Sequence, residues 1–69
     1  MTELRAAVPN RPGVVADIAL TLGRAGINIV DMSLSPSPDN SSGVVSLWVA
    51  EPQGPAGADL IRGLGIPVS

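Results

Sequence analysis

The run Pro12-Gly13-Val14-Val15-Ala16-Asp17-Ile18-Ala19-Leu20-Thr21-Leu22-Gly23-Arg24-Ala25-Gly26-Ile27-Asn28-Ile29 changes character once, at Gly26. Before that glycine, apolar residues stand at Val14, Val15, Ile18, Ala19, Leu22 and Ala25, spacings of one, three and four that gather them into one stripe of a helix. Asp17, Thr21 and Arg24 fall on the opposite side, so the helix is amphipathic and covers something. Pro12, with its fixed φ and missing amide hydrogen, suits the helix start, and Gly26 suits the C-cap. A strand follows at once: Ile27 to Leu34 is β-branched and apolar-rich. Ile27 and Ile29 share one face while Val30, Met32 and Leu34 share the other, which predicts a bulge near Asp31.

Outward from this pair the same reasoning reaches both ends of the chain. Leu4 to Val8 is a strand with Leu4, Ala6 and Val8 on one face, stopped by Pro9. Ser35 to Ser42, with two prolines and Asp39-Asn40, is too polar for core and reads as an exposed connection. Gly43 to Ala50 gives a third strand, with Val45, Leu47 and Val49 facing one way and Val44, Ser46 and Trp48 the other. Pro52 to Gly54 is a turn, Pro55 opens a short second helix carrying Leu60, Ile61 and Leu64, and Ile66-Pro67-Val68 closes as a fourth strand.

Strand, helix, strand, strand, helix, strand is the ferredoxin-like βαββαβ order. It predicts an α+β sandwich: a four-stranded antiparallel sheet with both helices on one face. Leu64-Gly65-Ile66-Pro67-Val68 echoes Ala25-Gly26-Ile27-Asn28-Ile29, each a helix end, a glycine and a strand start. The expected strand order is fourth, first, third, second, so the second and fourth strands are edges. Pro67 suits an edge, and it makes the fourth strand a poor template for further pairing, which leaves the second strand as the open edge.

Composition narrows the function. Residues 1–69 make one domain, and a chain this short buries only roughly 60% of the surface its unfolded form exposes, so a partner is expected. The formal charge is −2, and the only cations are Arg5, Arg11, Arg24 and Arg62, which is no footprint for nucleic acid. Neither Cys nor His is present, which removes thiol nucleophiles, imidazole bases and the best transition-metal ligands; no metal and no cofactor is expected. No apolar run approaches the ~20 residues of a membrane helix, and no secretory leader is visible, so a cytoplasmic domain or fragment is expected. Asp17, Asp31 and Asp59 are single carboxylates that offer no acid–base pair.

Val8-Pro9-Asn10-Arg11-Pro12-Gly13-Val14, followed by Gly26-Ile27-Asn28-Ile29, resembles the signature of ACT domains. It is similar in particular to the domain that ends many bacterial prephenate dehydrogenases. Asp31-Met32, the Ser-Pro-rich connection and Gly43-Val44-Val45 fit the same subgroup, and the resemblance runs from about Leu4 to Ala50. It implies a non-catalytic module that pairs with a second copy and binds a free amino acid at the interface. By end-product logic that ligand is tyrosine or phenylalanine, and the partner is the catalytic domain of a parent enzyme.

Carried onto this chain, the ligand loop is Asn10, Arg11, Pro12, Gly13 and Val14, and the facing residue from the other copy is Asn28. The chemistry is sensible. Gly13 lets a ligand approach backbone amides at a helix N-terminus, where the macrodipole favours a carboxylate. Asn10 and Asn28 each offer a donor and an acceptor to a zwitterion. Each residue also has a plainer role: Asn10 as helix cap, Arg11 as a solvated charge, Gly13 as a turn residue. Asn28 is the sharper signal, because an amide between two isoleucines is poor strand chemistry unless its side chain has something to bond. Trp48, the sole aromatic, is expected on the sheet face away from the helices or packed on another domain, and not in the ligand site. The competing function is a pure association module that has the fold and dimerises without a ligand.

Overall fold

The computed structural model describes residues 1–11 and 13–69. Pro12, expected at the helix start and in the ligand loop, lies outside the described residues. The elements run β1 (Thr2–Pro9), α1 (Val14–Arg24), β2 (Asp31–Pro36), β3 (Ser42–Val49), a 3-10 turn (Glu51–Gln53) and α2 (Gly54–Arg62). The expected βαββαβ order is present, but the sheet has three strands, in the order β1-β3-β2 with both pairings antiparallel.

The expected fourth strand is reduced to one bridge, Ala6 with Val68, on the predicted side of β1. Arg5 and Ser69 exchange both of their backbone hydrogen bonds, at 3.2 and 2.9 Å. Two residues back, Ala7 donates to the Pro67 carbonyl at 3.0 Å, and proline has no N–H to return the bond. The ladder stops there.

Helix α1 ends as its sequence demands. Ile27 N donates to Leu22 O at 2.9 Å and Gly26 N to Gly23 O at 3.0 Å, the paired bonds of a Schellman cap, with Gly26 at φ 79°. The cap turns Ile27 directly into the core. Gly65, at φ 82°, does the same for Ile66 after α2, so the echo between the two helix ends is structural.

The core lies between the sheet and the helices. Leu4, Ala6 and Val8 from β1 and Val45, Leu47 and Val49 from β3 meet Val14, Ile18 and Leu22 from α1 and Ala58 and Ile61 from α2. Gly57 lets α2 sit close: a Cβ there would stand 3.1 Å from Leu4 Cδ1. Three expectations need adjustment. The turn before α2 is a 3-10 turn that runs straight into the helix, Leu64 lies beyond the helix and is exposed, and Ala25 is the exposed C-cap, not part of the buried stripe.

The second strand starts four residues later than expected, at Asp31. Val30 N donates to Trp48 O at 2.8 Å, while Asp31 is itself in register with Trp48. Two residues therefore oppose one, the arrangement of a bulge, and the phase changes there. Ile27 is buried and Ile29 packs on the core. Beyond the bulge Met32 and Leu34 stand in register with the buried Leu47 and Val45, yet both stay exposed. All six residues of β2 are exposed, which is what an open edge strand looks like.

Candidate functional site

Because β1 and β2 are both antiparallel to β3, they run parallel to each other and finish at the same end of the sheet. A cavity of about 450 Å³ opens there. Its walls are the end of β1 (Val8, Pro9), the loop and first turn of α1 (Asn10, Arg11, Gly13 to Ala16), the end of β2 (Leu34, Pro36), and the β2–β3 hairpin (Asn40, Ser42, Gly43). Four of the six expected site residues, Asn10, Arg11, Gly13 and Val14, thus line one cavity. Pro12 lies outside the described residues. Asn28 is elsewhere: exposed, at the opposite end of its segment, on the order of 20 Å from Leu34 at ~3.3 Å per residue.

Local geometry explains each position. Gly13 occupies the N-cap of α1 at φ 83°, a left-handed conformation that glycine adopts without steric cost, and no side chain caps the helix. The capping role open to Asn10 is therefore not taken. Its backbone N–H instead extends the β1–β3 pairing to Ser41 O at 3.1 Å, and its Nδ2 donates to the Asn40 carbonyl. That leaves Asn10 Oδ1 as the acceptor available to another group. Arg11 Nη1 reaches Asp17 Oδ2 at 3.3 Å across the first turn of α1, so Asp17 has a partner that the sequence did not reveal. Both ends of this pair are about half exposed, which makes it a weak tie.

The hairpin wall is held by one carboxylate. Asp39 Oδ1 accepts from Ser37 Oγ at 2.7 Å, Ser41 Oγ at 2.8 Å and Ser41 N at 3.0 Å. The Ser37 hydroxyl and then the two Ser41 donors favour the ionised form and lower the Asp39 pKa from 3.8 to about 2. Asn40 adopts φ 58°, which asparagine tolerates better than most residues, and so aims its carbonyl at Asn10. Gly43 completes the wall: a Cβ there would meet Ser35 O at 3.0 Å.

The cavity thus offers an apolar floor from Val8, Val14, Leu34 and Pro36, with the N-terminus of α1 and a free amide oxygen at its rim. That combination suits a small zwitterion with an apolar side chain. Leu34, Pro36, Asn40 and Ser42 were not foreseen as lining residues. The parallel relation of β1 and β2, implicit in the element order, is the signal that would have found the first two. Among the described residues no group of His, Cys, Asp or Glu is placed to hold a metal, and no helix is long and apolar enough to cross a membrane.

A family model described as the ACT domain matches residues 2–58. The ACT domain of prephenate dehydrogenase from Bacillus anthracis superposes with a TM-score of 0.88 at 16% identity, covering 99% of this chain and 100% of that one. A Bacteroides thetaiotaomicron protein gives 0.80 at 15% identity, covering 97% of this chain and 44% of that one. The regulatory subunit of aspartate kinase from Thermus thermophilus, in its ligand-free form, gives 0.79 at 15%, covering 97% and 49%. At these identities the likeness is one of fold. No curated protein sequence matches the chain.

Proposed function

The chain belongs to the ACT domain family, and from that premise we propose that it is a regulatory module that binds a free amino acid between two copies of itself. The cavity at the N-terminus of α1 carries this reading. It accommodates the ligand carboxylate at the first turn of α1, the ammonium at Asn10 Oδ1, and the side chain on Val8, Val14 and Leu34. An aromatic ligand, tyrosine first, fits the apolar floor and the fold's likeness to a domain from a prephenate dehydrogenase. The catalytic domain of such an enzyme is the proposed parent, in the cytoplasm, and the module itself catalyses nothing. Purified chain should accordingly leave prephenate unchanged.

Asn28, remote from the cavity within one copy, joins the site only through pairing along β2. If β2 and the segment that leads into it align antiparallel with their symmetry mates about a two-fold axis near Asp31, the segment before β2 in one copy lies beside the end of β2 in the other. The partner's Asn28 then stands next to Leu34 at the mouth of the cavity, and one complete site needs both copies. Arg11 can swing from Asp17 to the ligand carboxylate at little cost, because an exposed ion pair contributes at most about 1 kcal/mol.

Calorimetric titration with tyrosine and phenylalanine, repeated on Asn28→Ala, tests the assignment. Loss of a hydrogen-bonding partner should weaken binding by on the order of ten- to a hundredfold. If neither amino acid binds, the association-module reading takes its place; if Asn28→Ala binds as well as the unmodified chain, Asn28 has no part in the site. The open edge of β2, with Met32 and Leu34 exposed beside it, already favours association on its own.

A further inference from the structure

The sheet face turned away from the helices is not used by the proposed site. Register places its side chains in rows. Glu3, Trp48 and Asp31 form one row, Arg5, Ser46 and Ser33 the next, and Ala7, Val44 and Ser35 a third. Trp48 is the only aromatic residue in the chain and stays partly exposed here. Glu3, Arg5 and Asp31 form no ion pair among the described residues, although the chain's other ion pairs engage Arg11, Arg62 and the N-terminus.

We infer that this face packs against the same face of a second copy, with Arg5 opposite the partner's Glu3 and Trp48 opposite the partner's Ser46. The first two rows are one repeat of the pleat apart, about 7 Å. A two-fold axis lying along the rows and midway between them lays the Arg5 row over the partner's Glu3 row, and the reverse. Charge then meets opposite charge twice, and the one bulky side chain of the face meets a small one twice. Ser33, Ser35, Ser46 and Ala7 keep the rest of the surface low enough for two sheets to approach to the usual ~10 Å. Asp31 falls opposite the partner's Ser33, whose hydroxyl can donate to it, so the face is complementary to itself in size and, through Glu3 and Arg5, in charge. A foreign domain would have to supply that complementarity independently. The contact uses the sheet's face and leaves the β2 edge free, so it does not depend on the pairing proposed for the ligand site.

Trp48 reports the contact directly. In the unmodified chain its emission should shift to the blue as concentration rises from micromolar towards millimolar, in step with an increase in sedimenting mass. Arg5→Glu should weaken this step roughly a hundredfold or more, since it sets like charges opposite each other twice. The swapped variant, Arg5→Glu with Glu3→Arg, should restore it. Circular dichroism identifies any variant that fails to fold, and the unmodified chain decides the matter without them. Emission that does not change with concentration overturns the inference, as does association of Arg5→Glu at wild-type strength or a folded swapped variant that stays apart. Association through the β2 edge alone would raise the mass and leave the emission of Trp48 insensitive to Arg5→Glu, so the two contacts are separable.

Discussion

Gly26 and Asp39 show how much a single residue settles here. Gly26 holds φ 79° to close α1 and send Ile27 into the core. Gly26→Ala should therefore cost about 1–2 kcal/mol, read from the urea midpoint, because an L side chain is strained in that region. A neutral effect would mean the cap is not what ends the helix. Asp39 acts on the hairpin wall. Its pKa is lowered on folding, so the stability it lends is present above its unfolded value of 3.8 and fades as pH falls towards about 2. Amide exchange at Ser41 and Ser42, extrapolated through that range, should speed up relative to exchange in β1, and Asp39→Asn should exchange quickly even at neutral pH. The role of Gly26 is legible in sequence because it is local. The tie from Asn10 to Asn40 is not, since thirty residues separate the two and only the β1–β3 register brings them together.

At the scale of elements, two close approaches set how the pieces fit. α2 rides on β1 through Gly57, where a Cβ would already stand 3.1 Å from Leu4 Cδ1 and within 3.9 Å of Ile27 Cδ1. Gly57→Val should destabilise the fold by about 1–3 kcal/mol through overpacking, measured as a lowered midpoint with an unchanged denaturant slope. The β2–β3 hairpin is tighter still. At Gly43 the nearest atom to an added Cβ is the backbone oxygen of Ser35 at 3.0 Å, with Leu34 Cδ1 at 3.2 Å and Pro36 Cα at 3.4 Å; the leucine can turn aside but the backbone cannot, so even Gly43→Ala should loosen the hairpin and the cavity wall together. A variant that kept both stability and ligand affinity would show that the hairpin is not a fixed wall. The strand ends were harder to read than the helix ends. β2 begins at Asp31 because the bulge against Trp48 interrupts the pairing, and the fourth strand shrinks to a bridge because Pro67 cannot donate.

For the whole molecule, the proposed composite site would couple ligand binding to pairing. A ligand that touches both copies binds the pair and not the single chain, so tyrosine should raise the melting temperature by mass action, and protein concentration should raise it as well. A melting temperature indifferent to protein concentration would leave the chain a monomer and remove the composite site. The small core makes this effect easy to see, since a 69-residue domain has little stability to spare.

The sequence alone determined the element order, the Gly26 cap that ends α1, the inward faces of β1 and β3, and the loop with which the cavity is built, because each of these follows from spacing over a few residues. Tertiary structure decided the rest. It took Asn10 from the helix cap and gave it to the hairpin, set Arg11 on Asp17, brought Leu34 and Pro36 to the cavity, and kept Asn28 at the far end of the sheet. The reason is physical: these relations depend on the direction in which parallel and antiparallel strands run, and on which backbone donors a register leaves unmatched. Neither quantity is a property of any short stretch of chain.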